Sequence, residues 1–293
     1  NAKDALFTSL DNGVNFFDTA DVYGDGRSEK FIGEILKNTK EKIYVATKAG
    51  RRLDPHVSEG YNLNNIEAFI DRSLLNLGID TIDLLQLHCP PSDICGKSET
   101  YEMMDEIVKK GKIKYYGVSV EKVSEALDAI KFPNVKSIQI IFNIFRQKPN
   151  EIFFKEAKKN NVAIIVRVPL ASGLLTGKMN LNSSFPKNDH RNYNINGDSF
   201  DVGETFSGIN FHKGIEAVKE LKTLLPQDFS LTDLALKWIL SHDEVTVVIP
   251  GAKNKLQAQL NTRASEMNNI NTIMNSISNI YQSYFKDDVH SRW

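Results

Sequence analysis

Cysteine is scarce, with only Cys89 and Cys95 among 293 residues. Two thiols allow one bridge at most and no disulfide framework. With no secretory leader in view, they read as reduced thiols of a cytoplasmic chain. Long hydrophobic runs are also missing. No stretch approaches the roughly 20 apolar residues that cross a bilayer, so no membrane partner is expected. Neither sign of charge is in excess: 36 Lys+Arg against 37 Asp+Glu leave a formal charge of -1. That balance offers no general basic surplus to neutralise a phosphate backbone, so no nucleic-acid partner is expected. The 41% of hydrophobic residues is too many for a disordered chain and ordinary for a globular one.

Two nucleotide-binding signatures are absent as well. Gly24-Asp25-Gly26 is followed by Glu29 where a dinucleotide fingerprint needs its third glycine. Gly173-Leu174-Leu175-Thr176-Gly177-Lys178 is one residue too short for a P-loop and continues with Met179 instead of Ser or Thr.

What is present is an alternation of short apolar runs and amphipathic segments. Strands are expected over 14–17, 43–46, 82–87, 115–119, 137–142, 163–168 and 245–249. Ala5, Leu6 and Leu10 mark a first helix that stops at Gly13. Ser28 is expected to cap a second, and a third carries Ile66, Phe69, Ile70, Leu74 and Leu77 and ends at Gly78. Further helices are expected near 100–110, 123–130, 151–160, 211–225, 231–241 and 255–285. A polar stretch over 180–208 reads as a long loop. Seven βα units with nearly all-apolar strands point to a parallel sheet buried on both faces. Between an open doubly wound sheet and a closed (β/α)8 barrel, the missing fingerprint favours the barrel. One strand of the eight has no counterpart. The chain is therefore expected to be a single barrel domain, 1–293, that is N-terminally incomplete, with the natural protein beginning before Asn1.

In a barrel the C-terminal ends of all strands open on one face. Asp18, Lys48 and His88 each end a strand, and Tyr23 lies five residues beyond Asp18. Each alone could be a cap, a solvated charge, a rim residue or a satisfied strand end. Together they suit proton transfer to a carbonyl oxygen. Tyrosine is a weak acid at neutral pH, an adjacent ammonium lowers its pKa, a carboxylate fixes that ammonium, and histidine orients the oxygen. None of the four supplies hydride, so a cofactor is required. Ile249-Pro250-Gly251-Ala252-Lys253-Asn254, after the last strand, could hold an anionic group at a helix start or be a plain turn. A Schiff base on Lys48, as in a lyase, is a weaker alternative.

Taken in order, these segments resemble the aldo-keto reductase superfamily. The resemblance is carried by Gly13-Val14-Asn15-Phe16-Phe17-Asp18-Thr19-Ala20-Asp21-Val22-Tyr23-Gly24, Ala46-Thr47-Lys48 and Leu87-His88. It continues in Val168-Pro169-Leu170-Ala171-Ser172-Gly173-Leu174-Leu175-Thr176-Gly177-Lys178 and Ile249-Pro250-Gly251-Ala252, and spans essentially the whole chain. It implies a (β/α)8 TIM barrel that reduces an aldehyde or ketone to an alcohol with NADP(H). Tyr23 would be the general acid, Lys48 would lower its pKa, Asp18 would pair with Lys48, and His88 would orient the carbonyl.

For the cofactor, the resemblance implies Ser119 and Gln139 at the nicotinamide carboxamide. Leu170, Ser172, Gly173, Leu175, Gly177 and Lys178 would line the pyrophosphate. Gly251, Lys253, Gln257 and Asn261 would hold the adenosine end, with Lys253 on the 2'-phosphate. The sequence also departs from the pattern. Val120 replaces an asparagine, Cys89 replaces a tryptophan, and Arg167 stands where an aromatic ring usually stacks on the nicotinamide; a guanidinium plane can also stack there. The family's first strand and N-terminal hairpin have no counterpart. Some members act mainly as cofactor-sensing subunits of larger assemblies, such as potassium-channel β subunits, which gives a second functional reading.

Overall fold

The computed structural model describes residues 2–293. Its strands are β1 (Phe16–Asp18), β2 (Tyr44–Ala49), β3 (Ile82–His88), β4 (Ile113–Ser119), β5 (Val135–Ile141), β6 (Ala163–Arg167) and β7 (Val245–Val248). The helices are α1 (Ala2–Asp11), α2 (Arg27–Asn38), α3 (Leu63–Leu77), α4 (Ser98–Lys109), α5 (Val123–Ala129) and α6 (Phe153–Lys159). They continue as α7 (His190–Tyr193), α8 (Phe211–Thr223), α9 (Leu231–Leu240), α10 (Lys255–Arg263), α11 (Met274–Tyr284) and α12 (Lys286–Val289). All seven expected strands form, each within a few residues of its expected bounds. They pair in parallel and in chain order from β1 to β7.

The sheet curls until its two ends meet. Phe16 of β1 and Val247 of β7 pack on one small cluster with Ala46, Leu84 and Ile165, inside the ring. Outside, α1 packs on α10 across the same seam. Among the described residues β1 and β7 do not pair with each other and no eighth strand or N-terminal hairpin is present.

Side chains of a strand alternate between inside and outside. The inward set starts with the apolar cluster and becomes polar one step higher: Asp18, Lys48, Gln86 and Gln139. The outward set, such as Leu85, Leu87, Val118, Ile138, Ile140 and Ile164, is buried under the helices. This two-sided burial explains why the strands read as continuous apolar runs.

Two local expectations change. Ser28 does not cap α2; Gly26, with φ 85, occupies that place, and the Ser28 hydroxyl instead accepts from Thr19 at 2.8 Å. The segment 180–208 is not all irregular, because it contains α7 and two short 3-10 turns, Val202–Glu204 and Phe206–Gly208. Gly78 ends α3 as expected, with φ 68 and its N–H bonded to the Leu74 carbonyl.

Candidate active site

Lys48 is 1% exposed, and a buried ammonium needs partners. Its Nζ bonds to Asp18 Oδ1 and to the Thr19 carbonyl at 2.8 Å. The same Nζ lies 5.4 Å from the centre of the Tyr23 ring. The Tyr23 and His88 rings meet edge to face, with centres 5.8 Å apart. The structure thus brings Asp18, Tyr23, Lys48 and His88 to one place at the barrel mouth. Tyr23 keeps 44% of its surface open there.

The electrostatics refine the expectation. Lys48 is the largest influence on the Tyr23 phenol and pulls its pKa down. Burial and the charges of Asp18 and Glu204 outweigh that pull, and the net direction is upward. Burial disfavours the Lys48 ammonium, but Asp18 and Tyr23 prevail and hold it above its ordinary value. Burial pushes His88 well below the usual imidazole range, and Lys48, Arg51 and Arg167 add to this, so the ring is neutral. Among the described residues its buried Nδ1 has no hydrogen-bond partner.

Ser119 Oγ, at the end of β4, has Cys89 Sγ at 3.6 Å as a weak partner. Gln139 does not simply face the mouth: its Nε2 donates to Asp18 Oδ2 at 2.8 Å. Arg167 is tied to the barrel wall. It donates to the Val120 carbonyl at 3.1 Å and pairs with Glu121 at 2.7 Å. Arg51, just past β2, pairs with Glu204 of the long loop at 2.5 Å. Cys89, Glu121 and Glu204 place three potential metal ligands within 4.8 Å of one another, but Arg51 and Arg167 already supply the positive charge among them. Arg51, Glu121, Glu204 and Gln86 escaped the sequence reading. Only Gln86 left a signal there, a polar residue two positions before His88 in an apolar strand.

The loop after β6 turns sharply. Val168, Ala171, Ser172 and Gly173 all have positive φ, a conformation costly for a β-branched valine. Asn143 holds the Val168 carbonyl at 2.9 Å. The N–H groups of Gly173 and Leu175 both bond to the Leu170 carbonyl, and Leu175 is core. The Ser172 hydroxyl donates to the Glu204 carbonyl at 3.2 Å and accepts from the Phe206 N–H at 2.9 Å. The long loop therefore rests on this turn. Gly177 has φ 68, and Lys178 is exposed.

Beside it, the loop after β7 leads into α10. Gly251 has open space where a side chain would stand, and Lys253 is exposed. Gln257 and Asn261 brace this loop from within, through the Lys253 N–H at 2.7 Å and the Gly251 carbonyl at 3.2 Å. The helix α9 packs against both the 171–176 turn and α10. Open glycine backbone, two exposed lysines and a helix start fit a phosphate-bearing group. The open Tyr23 ring with its carboxylate-bound lysine alongside fits the reactive end of such a group.

A barrel of this strand order with this constellation at its mouth defines a class of oxidoreductase, and comparison with known proteins agrees. The model of the aldo/keto reductase family matches residues 1–281. An uncharacterised oxidoreductase of Bacillus subtilis, YqkF, is 30% identical, with 99% of this chain and 89% of that protein covered. The Schizosaccharomyces pombe protein named aldo-keto reductase yakc [NADP(+)] is 30% identical over 86% of this chain and 74% of its own length. The solved glycerol dehydrogenase AKR11B4 of Gluconobacter oxydans superposes with a TM-score of 0.78 at 26% identity, over 96% of this chain and 85% of that one. This chain belongs to the aldo/keto reductase family.

Proposed function

We propose that the chain reduces an aldehyde or ketone to an alcohol, reversibly, with NADPH. One observation carries the reading. A buried, carboxylate-bound lysine stands beside the tyrosine that faces the mouth, and a neutral histidine meets that ring edge to face. When bound, the reduced nicotinamide supplies hydride to the carbonyl carbon. The Tyr23 hydroxyl gives its proton to the carbonyl oxygen, and takes one back in the reverse direction. Lys48 stabilises the phenolate left behind, and Asp18 fixes Lys48. A neutral imidazole offers one N–H, with which His88 orients the oxygen.

Ser119 and Arg167 would hold the nicotinamide, the 170–178 turn the pyrophosphate, and Lys253 the 2'-phosphate. The NADP(+) in the name of the S. pombe relative points the same way. The test is a panel of carbonyl compounds assayed with NADPH and NADH in parallel. Consumption of NADPH with at least one reactive aldehyde is expected. NADPH binding without turnover on any of them would overturn the reductase reading and favour a cofactor-sensing subunit. No binding at all would overturn both.

A further inference from the structure

We propose that Gln86 is a positioning residue of this site: its side-chain amide, with that of Gln139, anchors Asp18 Oδ2 so that Oδ1 is presented to Lys48. The inference rests on the reductase reading of Tyr23 and Lys48 and adds a residue to it.

The strand register creates the arrangement. Gln86 pairs with Lys48 across β2 and β3, and Gln139 pairs with Ser119 across β4 and β5. All are inward positions near the same height in the barrel. Gln86 is 0% and Gln139 1% exposed. Two primary amides in that place are costly unless they are bonded. Gln86 Nε2 donates to Asp18 Oδ2 at 3.0 Å and Gln139 Nε2 donates to the same oxygen at 2.8 Å. Gln139 Nε2 also reaches Gln86 Oε1 at 3.3 Å.

An ionised carboxylate only accepts, so both amides turn their nitrogens toward it. Asp18 is thereby held at both oxygens, one by Lys48 and the other by two glutamines from β3 and β5. A carboxylate held at one oxygen only could rotate and take Lys48 with it. Gln86 itself reaches neither Tyr23 nor the reacting atoms, so its effect passes through Asp18 and Lys48. Tyr23 responds to the charges of Lys48, Asp18, Glu204 and Arg167, with the neutral His88 at its ring edge.

The experiment compares the parent chain with Gln86→Met, which keeps the length and removes the donor, and Gln86→Glu, which sets a second carboxylate against Asp18. Ionisation of Tyr23 is read as the ultraviolet difference between each protein and its Tyr23→Phe counterpart, without cofactor. The kcat–pH profile with NADPH is recorded in parallel. The Tyr23 transition and the alkaline limb of kcat, where loss of the Tyr23 proton ends reduction, are expected to move to higher pH, by about one unit for Gln86→Glu and less for Gln86→Met. NADPH affinity is expected to stay within about threefold.

An unmoved Tyr23 transition in both variants, with any loss of kcat equal at all pH values, would overturn the proposal and leave Gln86 as filler of the barrel. Failure of both to fold would overturn it as well. The titration needs no turnover. A shifted Tyr23 in a protein that reduces nothing would therefore uphold Gln86 and reject the reductase reading instead.

Discussion

Glu204 and Arg51 join the long 180–208 loop to the end of β2, with carboxylate and guanidinium 2.5 Å apart. Glu204 also lies 3.7 Å from Arg167, so one loop carboxylate answers two cations of the barrel wall. The pair is largely withdrawn from solvent, where charge pairs weigh more than on an open surface. Burial raises the pKa of Glu204, but Arg167 and Arg51 overcome this and hold it low. Glu121, buried behind Arg167 and facing the Glu204 charge, is held high.

The clasp gives a first expectation. Glu204→Gln removes the charge that ties the loop to both arginines and one upward influence on Tyr23. NADPH association should accelerate, by about three- to tenfold, and the Tyr23 transition should move to lower pH. Stopped-flow quenching of tryptophan fluorescence checks the rate. Trp293 is a built-in reporter, since its indole N–H bonds to Asp201 of the same loop at 3.0 Å.

Removing the acid tests the chemistry directly. Tyr23→Phe keeps the ring against His88 and Lys48 but removes the proton. Turnover should fall by about 10²- to 10⁴-fold, while NADPH affinity stays nearly unchanged. Steady-state rates and a binding titration on the same preparation separate the two effects. A variant with the parent's rate would end the assignment.

Lys253 is exposed two residues before α10, and its charge reaches His190 of the long loop. Lys253→Ala is expected to weaken NADPH binding by about tenfold or more and leave NADH binding nearly unchanged. The ratio of kcat/KM for the two cofactors reports this preference.

Asp21 gives an expectation for stability. It is 0% exposed, and among the described residues neither carboxylate oxygen has a side-chain hydrogen-bond partner. Burial, aided by the charge of Glu29 and opposed by Arg52, the Val22 backbone and Arg72, pushes it up to about 7. The folded protein therefore keeps a proton that the unfolded chain has already lost. That stabilisation is complete below about pH 4 and is lost as pH rises toward 7. Asp21→Asn should flatten the decline in melting temperature between pH 5 and 8 and raise the value at pH 8 by a few degrees. Thermal scans across that range decide it.

Much of this was legible in the residues. Strand ends that carry Asp18, Lys48 and His88 are conspicuous because the rest of each strand is apolar. The barrel rule then brings them together without knowledge of a single distance. Tyr23 needed the resemblance, since a tyrosine in a loop has many uses.

The hidden parts depend on register and on contacts between distant segments. Arg51 and Glu204 are 153 positions apart, and no periodicity links them. Gln139 turns its amide nitrogen to Asp18, 121 positions earlier, a contact that no pattern in the sequence links. The upward net shift of Tyr23 was equally out of reach, because Lys48 was visible in the sequence but the opposing burial and the Glu204 charge were not.

Gly117 shows how far from the chemistry the site can be upset. It pairs with Ser137, and an added methyl group would stand 2.1 Å from the Ser137 hydroxyl oxygen. Even alanine would act as a wedge between β4 and β5. Two residues farther along those strands stand Ser119 and Gln139, so prising the staves apart low in the cask would tip its rim. A change that touches no reacting atom would then surface as a misaligned proton donor.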